Sequence, residues 1–498
     1  MERKTNHNVG PSFHLERGFQ VNQDATATVG AINYYTGQTH PNDLSLQDLL
    51  KFPEMTNREH AIDRVHDGTG CWLLNTDQYR GWAPGERTEQ DDHQQDWKHR
   101  MLWIIGKAGA GKSALMKMAV RHAQTTYHDC FIFPHFFNAR GTTLEKSTEG
   151  MYRTLIYWLL EEQELPSATV ERLRRRLRLT TPIKWTAQTL AELLQAAIYE
   201  LPDQPILFFI DALDECDEGE VYNMLSVFQG LVKRSQSRQV HVCFASRPYP
   251  HFGFDSATYL DLASQEEHDT DINKFVHEKL CIGTSPLAQK MKQEVRQRAQ
   301  GIFMWVVLVV QTLNSNFNHG NVTKLQQRLR EIPAGLHELF RYTILDHYTV
   351  DRDALLVCFQ WLLFGKESFD VRTLWWAIQR GLGRDDQAIC QDYNTMDAND
   401  MQLRIISISK GLVDFQFCEG YPQRTAQFVH ESVRDFLLKE KDMLSLYRAH
   451  DAFDLEARSE EDLRDWCLAE INARQPECLV LSQPYQRLID RQLRYLDP

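Results

Sequence analysis

The run Gly106-Lys107-Ala108-Gly109-Ala110-Gly111-Lys112-Ser113 fits the pattern G-x-x-x-x-G-K-[ST], whose chemistry is to hold the phosphates of a nucleotide. Its glycines let backbone N–H groups turn inward around the phosphates, and a following helix N-terminus adds positive potential. Lys112 is expected to reach the β- and γ-phosphates and Ser113 to ligate magnesium. Farther along, the apolar run Ile206–Ile210 ends in Asp211, a position suited to a second magnesium ligand. Asp214 and Glu215 follow one turn beyond; one of them would polarise an attacking water, and the spacing does not decide which. Another apolar run, Val240–Ala245, leads into Ser246-Arg247-Pro248 and sets a guanidinium where developing phosphate charge must be stabilised. Arg140 is a weaker candidate of the same kind. Plainer readings stand beside these. A solvated acidic loop accounts well for Glu215, Asp217 and Glu218 but poorly for Asp211, and a surface arginine at a strand end is common.

These residues need a scaffold that brings strand ends together. Short β-type runs at Met101–Ile105, Cys130–Phe137, Ile206–Ile210, Val240–Ala245 and Thr258–Leu262 alternate with helical patterns such as Met151, Leu155, Trp158, Leu159. That alternation predicts an α/β fold: a P-loop NTPase core at 101–265 with a three-layer parallel sheet, the loop lying between the first strand and a helix over Ala114–Val120. The near-continuous apolarity of Ile206–Ile210 suits a strand covered on both faces. Apolar positions at helical spacing predict a helical pre-core region over 44–100, with the hydrophilic Trp82–Arg100 as a loop. After the core, 266–348 is predicted helical, with Gly301–Leu313 as a buried helix. Region 349–440 ends in a hairpin, Gly411–Phe417 and Ala426–Val429 around a turn at Glu419–Pro422, running directly into Glu431–Leu438. Helices followed by such a hairpin predict a winged-helix-like domain. Residues 1–43 are polar without helical period, and 441–498 is predicted to be a charged helical tail.

With 498 residues the chain has room for roughly three domains. A formal charge of −13 repels polyanions, so no nucleic-acid partner is expected. The one basic run, Arg172–Arg178, carries Leu173 and Leu177 at helical spacing and reads as a solvated helix face. The ten cysteines fall singly, which points away from a disulfide framework or a zinc site and toward a reducing compartment. The longest apolar run, Ile302–Val310, is too short for a transmembrane segment, and the first residues lack a signal peptide's apolar stretch. The expectation is a cytoplasmic protein.

GKAGAGKS, ILFFIDALDEC (Ile206 to Cys216) and ASRPYP (Ala245 to Pro250) together resemble the NACHT class of signal-transduction ATPases, in particular the fungal nephrocystin-like set. In that class a small residue follows the magnesium aspartate and two acids come shortly after, as Ala212, Asp214 and Glu215 do here. HFFNARGTTLEKS (His135 to Ser147), GIFMWVVLVV (Gly301 to Val310) and FVHESVRDFLL (Phe428 to Leu438) also look like family segments, so the resemblance covers about 44–440. The last of these is similar to a winged-helix histidine motif, which implies that His430 contacts the β-phosphate of bound ADP in a closed resting state. The resemblance further implies Mg2+ and ATP/ADP as ligands, with GTP as the alternative base, slow hydrolysis, homo-oligomers on activation and an unknown signalling partner. In fungi the class is tied to non-self recognition and regulated cell death. Most members carry C-terminal repeat arrays that sense the ligand; this sequence has none, so the resemblance implies that a partner does the sensing, that the 441–498 tail does it, or that the chain is a shortened member. Gly18–Thr39 loosely resembles the short amyloid signalling motifs of some members. An AAA-type motor, which would need an arginine acting across subunits and fast turnover, and a scaffold that has lost hydrolysis are the competing readings.

Overall fold

The computed structural model describes residues 45–62, 64–85, 97–139, 141–162, 185–201, 203–234, 239–248, 257–316, 322–345, 352–365, 369–384, 395–417 and 424–439. Gly18–Thr39, Arg140, Arg172–Arg178, the turn Glu419–Pro422 and the segment 441–498 lie outside the described residues. The chain divides into two compact units, Met1–Leu49 and Leu50–Pro498, and the sheet and its surrounding helices belong to the second.

The pre-core region is more broken than its periodicity predicts: α1 is Leu46–Leu50, α2 Asn57–Ala61 and α3 Asp77–Trp82, with a 3-10 turn at Cys71–Asn75. Pro53 interrupts the pattern, and Gly68 and Gly70 take left-handed φ values of 69° and 79° that end any continuous helix there. Trp82 is a correction to the sequence reading. It is not the start of a loop but the fully buried end of α3, its indole N–H donating to the Val242 carbonyl at 3.0 Å and its ring meeting Phe209 edge-on at 5.4 Å. At the other end of the region, the buried Lys117 Nζ donates to the Glu59 and Ile62 carbonyls at 2.5 and 2.7 Å, tying α2 to the helix that follows the phosphate-binding loop.

Five parallel strands form the centre: β1 Met101–Ile105, β2 Phe131–Phe136, β3 Ile206–Asp211, β4 Val240–Ser246 and β5 Thr258–Asp261, in the order β2-β3-β4-β1-β5. Among the described residues, four helices lie between them: α4 Lys112–Thr126, α5 Thr148–Glu162, α6 Ala187–Glu200 and α7 Glu218–Arg234. Both faces are covered, which is why β3 reads as an unbroken apolar run. On one face Leu102, Ile104, Leu207, Phe209 and Cys243 pack with Leu115, Met116, Ala119 and Val120 of α4. On the other, Phe228 of α7 meets Phe208 and Phe244 at 5.4 and 5.8 Å between ring centroids. Strand ends shift slightly from expectation. β5 stops at Asp261, whose carboxylate accepts from the Ala263 N–H and starts a 3-10 turn at Leu262. The result is an α/β P-loop NTPase fold with helical regions.

Beyond the sheet run α8 Glu266–Lys279, α9 Pro286–Ala299, α10 Phe303–Asn316, α11 Val322–Glu331, α12 Leu336–Leu345, α13 Arg352–Phe364, α14 Val371–Gly381 and α15 Ala398–Ile408. The apolar helix expected near Gly301–Leu313 is α10, with Trp305, Val306, Val309 and Leu313 fully buried. A hairpin follows, β6 Val413–Phe417 paired antiparallel with β7 Arg424–Phe428, and leads into α16, Glu431–Lys439. One apolar cluster runs from Ile272 through α10 and α13 to Phe428 and Leu437, so the hairpin and α16 share a core with the helices before them.

Trp82 carries both a packing and a hydrogen-bonding role beneath the sheet. Trp82→Ala is expected to cost about 3–5 kcal/mol of stability, read as a lower urea midpoint for loss of the sheet's circular-dichroism signal.

Candidate functional site

Parallel register decides which side chains meet. Ile105 pairs with Ser246 and Phe136 with Asp211, so β1, β4, β3 and β2 end at one edge of the sheet. The phosphate-binding loop leaves β1 there, and Gly106 donates its N–H to the Ser246 carbonyl at 3.3 Å. Gly109 and Gly111 have φ values of 74° and 98°, which L side chains rarely adopt, and Gly111 directly precedes α4. Lys112 folds back over the loop, its Nζ 2.8 Å from the Gly106 carbonyl and 3.0 Å from that of Lys107. Burial lowers its pKa, and the nearby Asp214 and Asp211 carboxylates oppose that shift.

Asp211 is fully buried, and neither carboxylate oxygen has a hydrogen-bond partner among the described residues. Burial pushes its carboxyl up to about 6, although the Ser113 hydroxyl and the Arg58 and Lys112 charges favour the ionised form. An orphaned buried carboxylate beside a serine hydroxyl is a pair of hard oxygen donors. That suits magnesium, which takes one or two protein ligands and completes its shell with water and substrate phosphates. Among the described residues, no group of three or more His, Cys, Asp or Glu side chains is placed to hold a metal ion.

The two acids after Asp211 have different partners. Ala212 takes a left-handed φ of 56°, and the chain then turns through the 3-10 segment Leu213–Glu215. Asp214 is engaged at both oxygens by Arg247: Oδ1 accepts the backbone N–H at 2.9 Å and Oδ2 meets Nε at 2.8 Å. Glu215 instead accepts the Ala139 N–H through Oε2 at 2.9 Å. Ala139 lies in a loop held by Glu145, which accepts from Asn138 Nδ2 at 2.9 Å and from the Thr142 N–H at 2.7 Å.

Arg247 stands at the same edge and also reaches across to α16, where its Nη1 is 2.8 Å from Asp435 Oδ2. Burial works against its charge, but Asp214 and Asp435 outweigh that and hold its pKa above the usual arginine value. His430 sits between β7 and α16 as expected. Its Nδ1 is 2.5 Å from Ser432 Oγ and accepts the Ser432 N–H at 3.0 Å, so in this structure the ring caps its own helix.

Four contributors, Arg58, Met304, Arg434 and Asp435, were not visible in the sequence. Arg58, from α2, acts electrostatically on Asp211, and its Nε is buried without a hydrogen-bond partner. Met304 donates its N–H to the Gly109 carbonyl at 2.9 Å, and a Cβ at Gly109 would lie 2.8 Å from the Met304 Cβ, so α10 abuts the loop itself. Arg434, the neighbour of Asp435 on α16, points Nη1 toward the Ala139 carbonyl at 3.5 Å. Each of these four depends on contacts between distant segments. The only local hint was the charged pair Arg434-Asp435 inside a family-like segment.

Residues 68–247 match the family described as Nephrocystin 3, N-terminal. Over 438 residues the chain is 25% identical to Vegetative incompatibility protein HET-E-1 of Podospora anserina, a stretch covering 80% of this chain and 29% of that protein. The chain thus spans less than a third of that relative's length. Among solved structures, Drosophila ORC bound to DNA superposes with a TM-score of 0.33 and 11% identity over 86% of this chain and 97% of that one. The Aeropyrum pernix ORC1 protein in complex with DNA gives 0.30 and 11% over 76% and 98%. The parallel sheet and the loop from Gly106 to Ser113 give this part of the chain a P-loop NTPase fold, and its residues 68–247 are similar to the nephrocystin 3 N-terminal family.

Proposed function

We propose that this chain is a nucleotide-operated signalling switch: it binds a magnesium nucleoside triphosphate at Gly106–Ser113, hydrolyses it slowly, and changes its assembly state with the nucleotide held. The observation that carries the reading is the convergence of Lys112, Asp211, Asp214 and Arg247 at one sheet edge, with the Asp211 carboxylate buried and unpartnered. ATP and ADP are the preferred ligands on the family resemblance.

In this reading Ser113 and Asp211 hold the ion, which spreads positive charge over the phosphate oxygens when bound. Lys112 exchanges its two loop carbonyls for phosphate oxygens, a gain because a buried ammonium bonds more strongly to an anion than to a neutral acceptor. Glu215 orients the attacking water. It is favoured over Asp214 because the Asp214 oxygens are both engaged by Arg247, whereas Glu215 is held by one backbone N–H. Asp214 positions Arg247, and Arg247 steadies charge on the terminal phosphate within one chain, which differs from the cross-subunit arginine of a motor. His430 contacts the β-phosphate after its ring leaves Ser432. A cytoplasmic role in fungal incompatibility, with homo-oligomers as the active form, fits the similarity to the Podospora protein.

Lys112→Ala is expected to lose about 2–5 kcal/mol of binding free energy for Mg-ADP by calorimetric titration. Glu215→Gln should keep nucleotide affinity while hydrolysis falls by about 10²–10⁴-fold from a wild-type turnover below ~1 per second. Rapid wild-type turnover would instead support a motor. Asp211→Asn is expected to abolish the magnesium dependence of binding yet raise the melting temperature in metal-free buffer, because it removes a buried charge with no partner. A lower melting temperature would mean that the carboxylate is structurally compensated.

A further inference from the structure

Arg58 comes to the Asp211 carboxylate from outside the sheet. It lies on α2, which packs against β2, and Phe136 of β2 pairs with Asp211. The end of α2 is pinned to α4 by Lys117, whose Nζ donates to the Glu59 and Ile62 carbonyls at 2.5 and 2.7 Å. Lys117 stands about one helical turn beyond Ser113, so α2 is fixed close to the serine end of the site. Arg58 therefore approaches from the β2 side of β3, whereas Lys112 arrives on the loop after β1 and Arg247 directly after β4. Its Nε is buried, and like both oxygens of Asp211 it has no hydrogen-bond partner among the described residues. Burial holds the Asp211 carboxyl up at about 6, and Arg58 opposes that more strongly than Lys112 does. Two orphaned groups of opposite charge thus share one end of β3. A cation would satisfy the carboxylate, and an anion the guanidinium.

We propose that Arg58 is a built-in counter-ion of Asp211 that governs the entry of its metal: the guanidinium keeps a lone divalent ion off the carboxylate and admits one together with polyphosphate oxygens, which the guanidinium itself then binds. The inference rests on the nucleotide-binding reading of Gly106–Ser113. A divalent ion at Asp211 and a guanidinium acting on the same carboxylate repel each other, and where water is excluded the repulsion is several times its value in bulk solvent. Lys112 adds to that field, but its ammonium is already bonded to the Gly106 and Lys107 carbonyls, whereas the Arg58 Nε has no acceptor to absorb it. A polyphosphate reverses the balance. Its oxygens accept charge-assisted bonds from the guanidinium and complete the shell of an ion to which the protein offers only Ser113 and Asp211. Metal and nucleotide thereby become coupled ligands, each raising the other's affinity by the same factor. Much of that factor resides in an arginine that belongs neither to the loop nor to the sheet.

Manganese, which suits the same oxygen donors as magnesium and is counted by its paramagnetic resonance signal, tests this on the full chain. Without nucleotide, Arg58→Gln is expected to bind Mn2+ at least about tenfold more tightly than wild type, a small part of the repulsion a fixed positive charge exerts on a nearby divalent ion. R58K keeps the charge and should stay at the wild-type level. Adding D211N to R58Q should abolish the gained binding, which assigns the ion to that carboxylate. In calorimetric titrations, Mn2+ should raise the affinity of a non-hydrolysable ATP analogue at least about fivefold more in wild type than in R58Q, the low end of ordinary coupling between sites. An arginine with a merely structural role would lower the melting temperature of R58Q and leave its Mn2+ affinity unchanged. If the analogue binds both proteins with the same metal dependence and R58Q gains no affinity for Mn2+ alone, nucleotide binding stands and the role of Arg58 is overturned. If the analogue binds neither protein, with or without metal, the binding reading itself fails and this inference falls with it. Should R58Q not fold, R58M removes the same charge and keeps the apolar stem, with the same expected results. Wild-type protein that binds Mn2+ as tightly without the analogue as with it would also overturn the proposal, and that measurement needs no variant.

Discussion

A buried carboxylate without a geometric hydrogen-bond partner among the described residues, at the end of an inner strand of a parallel sheet, sets the terms for the rest of this molecule. Asp211 is there because β3 is covered on both faces and its last residue has no route to solvent. A group like that destabilises the fold it sits in, by an amount that hydrophobic burial along β3 and β4 must offset. The surrounding charges moderate it: Lys112 from the loop and Arg58 from α2 both favour the ionised form. They do so without bonding to it, which leaves its oxygens available. The sheet thus maintains an electrostatic deficit at the place where a cation and a polyphosphate would supply the missing partners.

The scaffold aims this deficit by register rather than by local motif. The loop residues share a stretch of chain, but Asp211, Asp214 and Arg247 come to it only because β1, β4 and β3 stop level with one another. Tight tethers then hold the surrounding pieces in place: Lys117 to α2, Trp82 to β4, Glu145 to the loop that carries Ala139.

Much of this was legible in the residues. The strands announced themselves as short apolar runs, the loop as a spaced glycine–lysine pattern, and the hairpin before α16 as two β-type runs around a turn-forming stretch. These signals are local, each confined to one element. The pre-core region misled because helical spacing at Leu46, Leu49, Leu50, Ile62 and Val65 says nothing about Pro53 or the left-handed glycines between them. Trp82 misled for a different reason: hydrophilic neighbours on one side concealed a partner, Val242, 160 residues away. Arg58 and Asp435 were beyond reach on the same ground. Nothing in the sequence around a charged residue on a polar helix face states which distant group it will meet, and the different surroundings of Asp214 and Glu215 come from Arg247 and Ala139, neither of them a neighbour in sequence.

The contact between Met304 and Gly109 bears on time rather than affinity. A loop that surrounds phosphates ordinarily releases them by its own fluctuations, at a rate its glycines set. Here one of those glycines has its carbonyl tied to the amide near the start of α10 and no room for even a methyl group on the facing side. α10 is the most apolar helix of the region and is anchored in the large core that extends to Leu437. The loop therefore inherits the stiffness of that core. For any ligand seated in it, residence becomes a property of how often the helical region lifts away, and a substitution deep in that core, far from every phosphate contact, acts as a change in the clock.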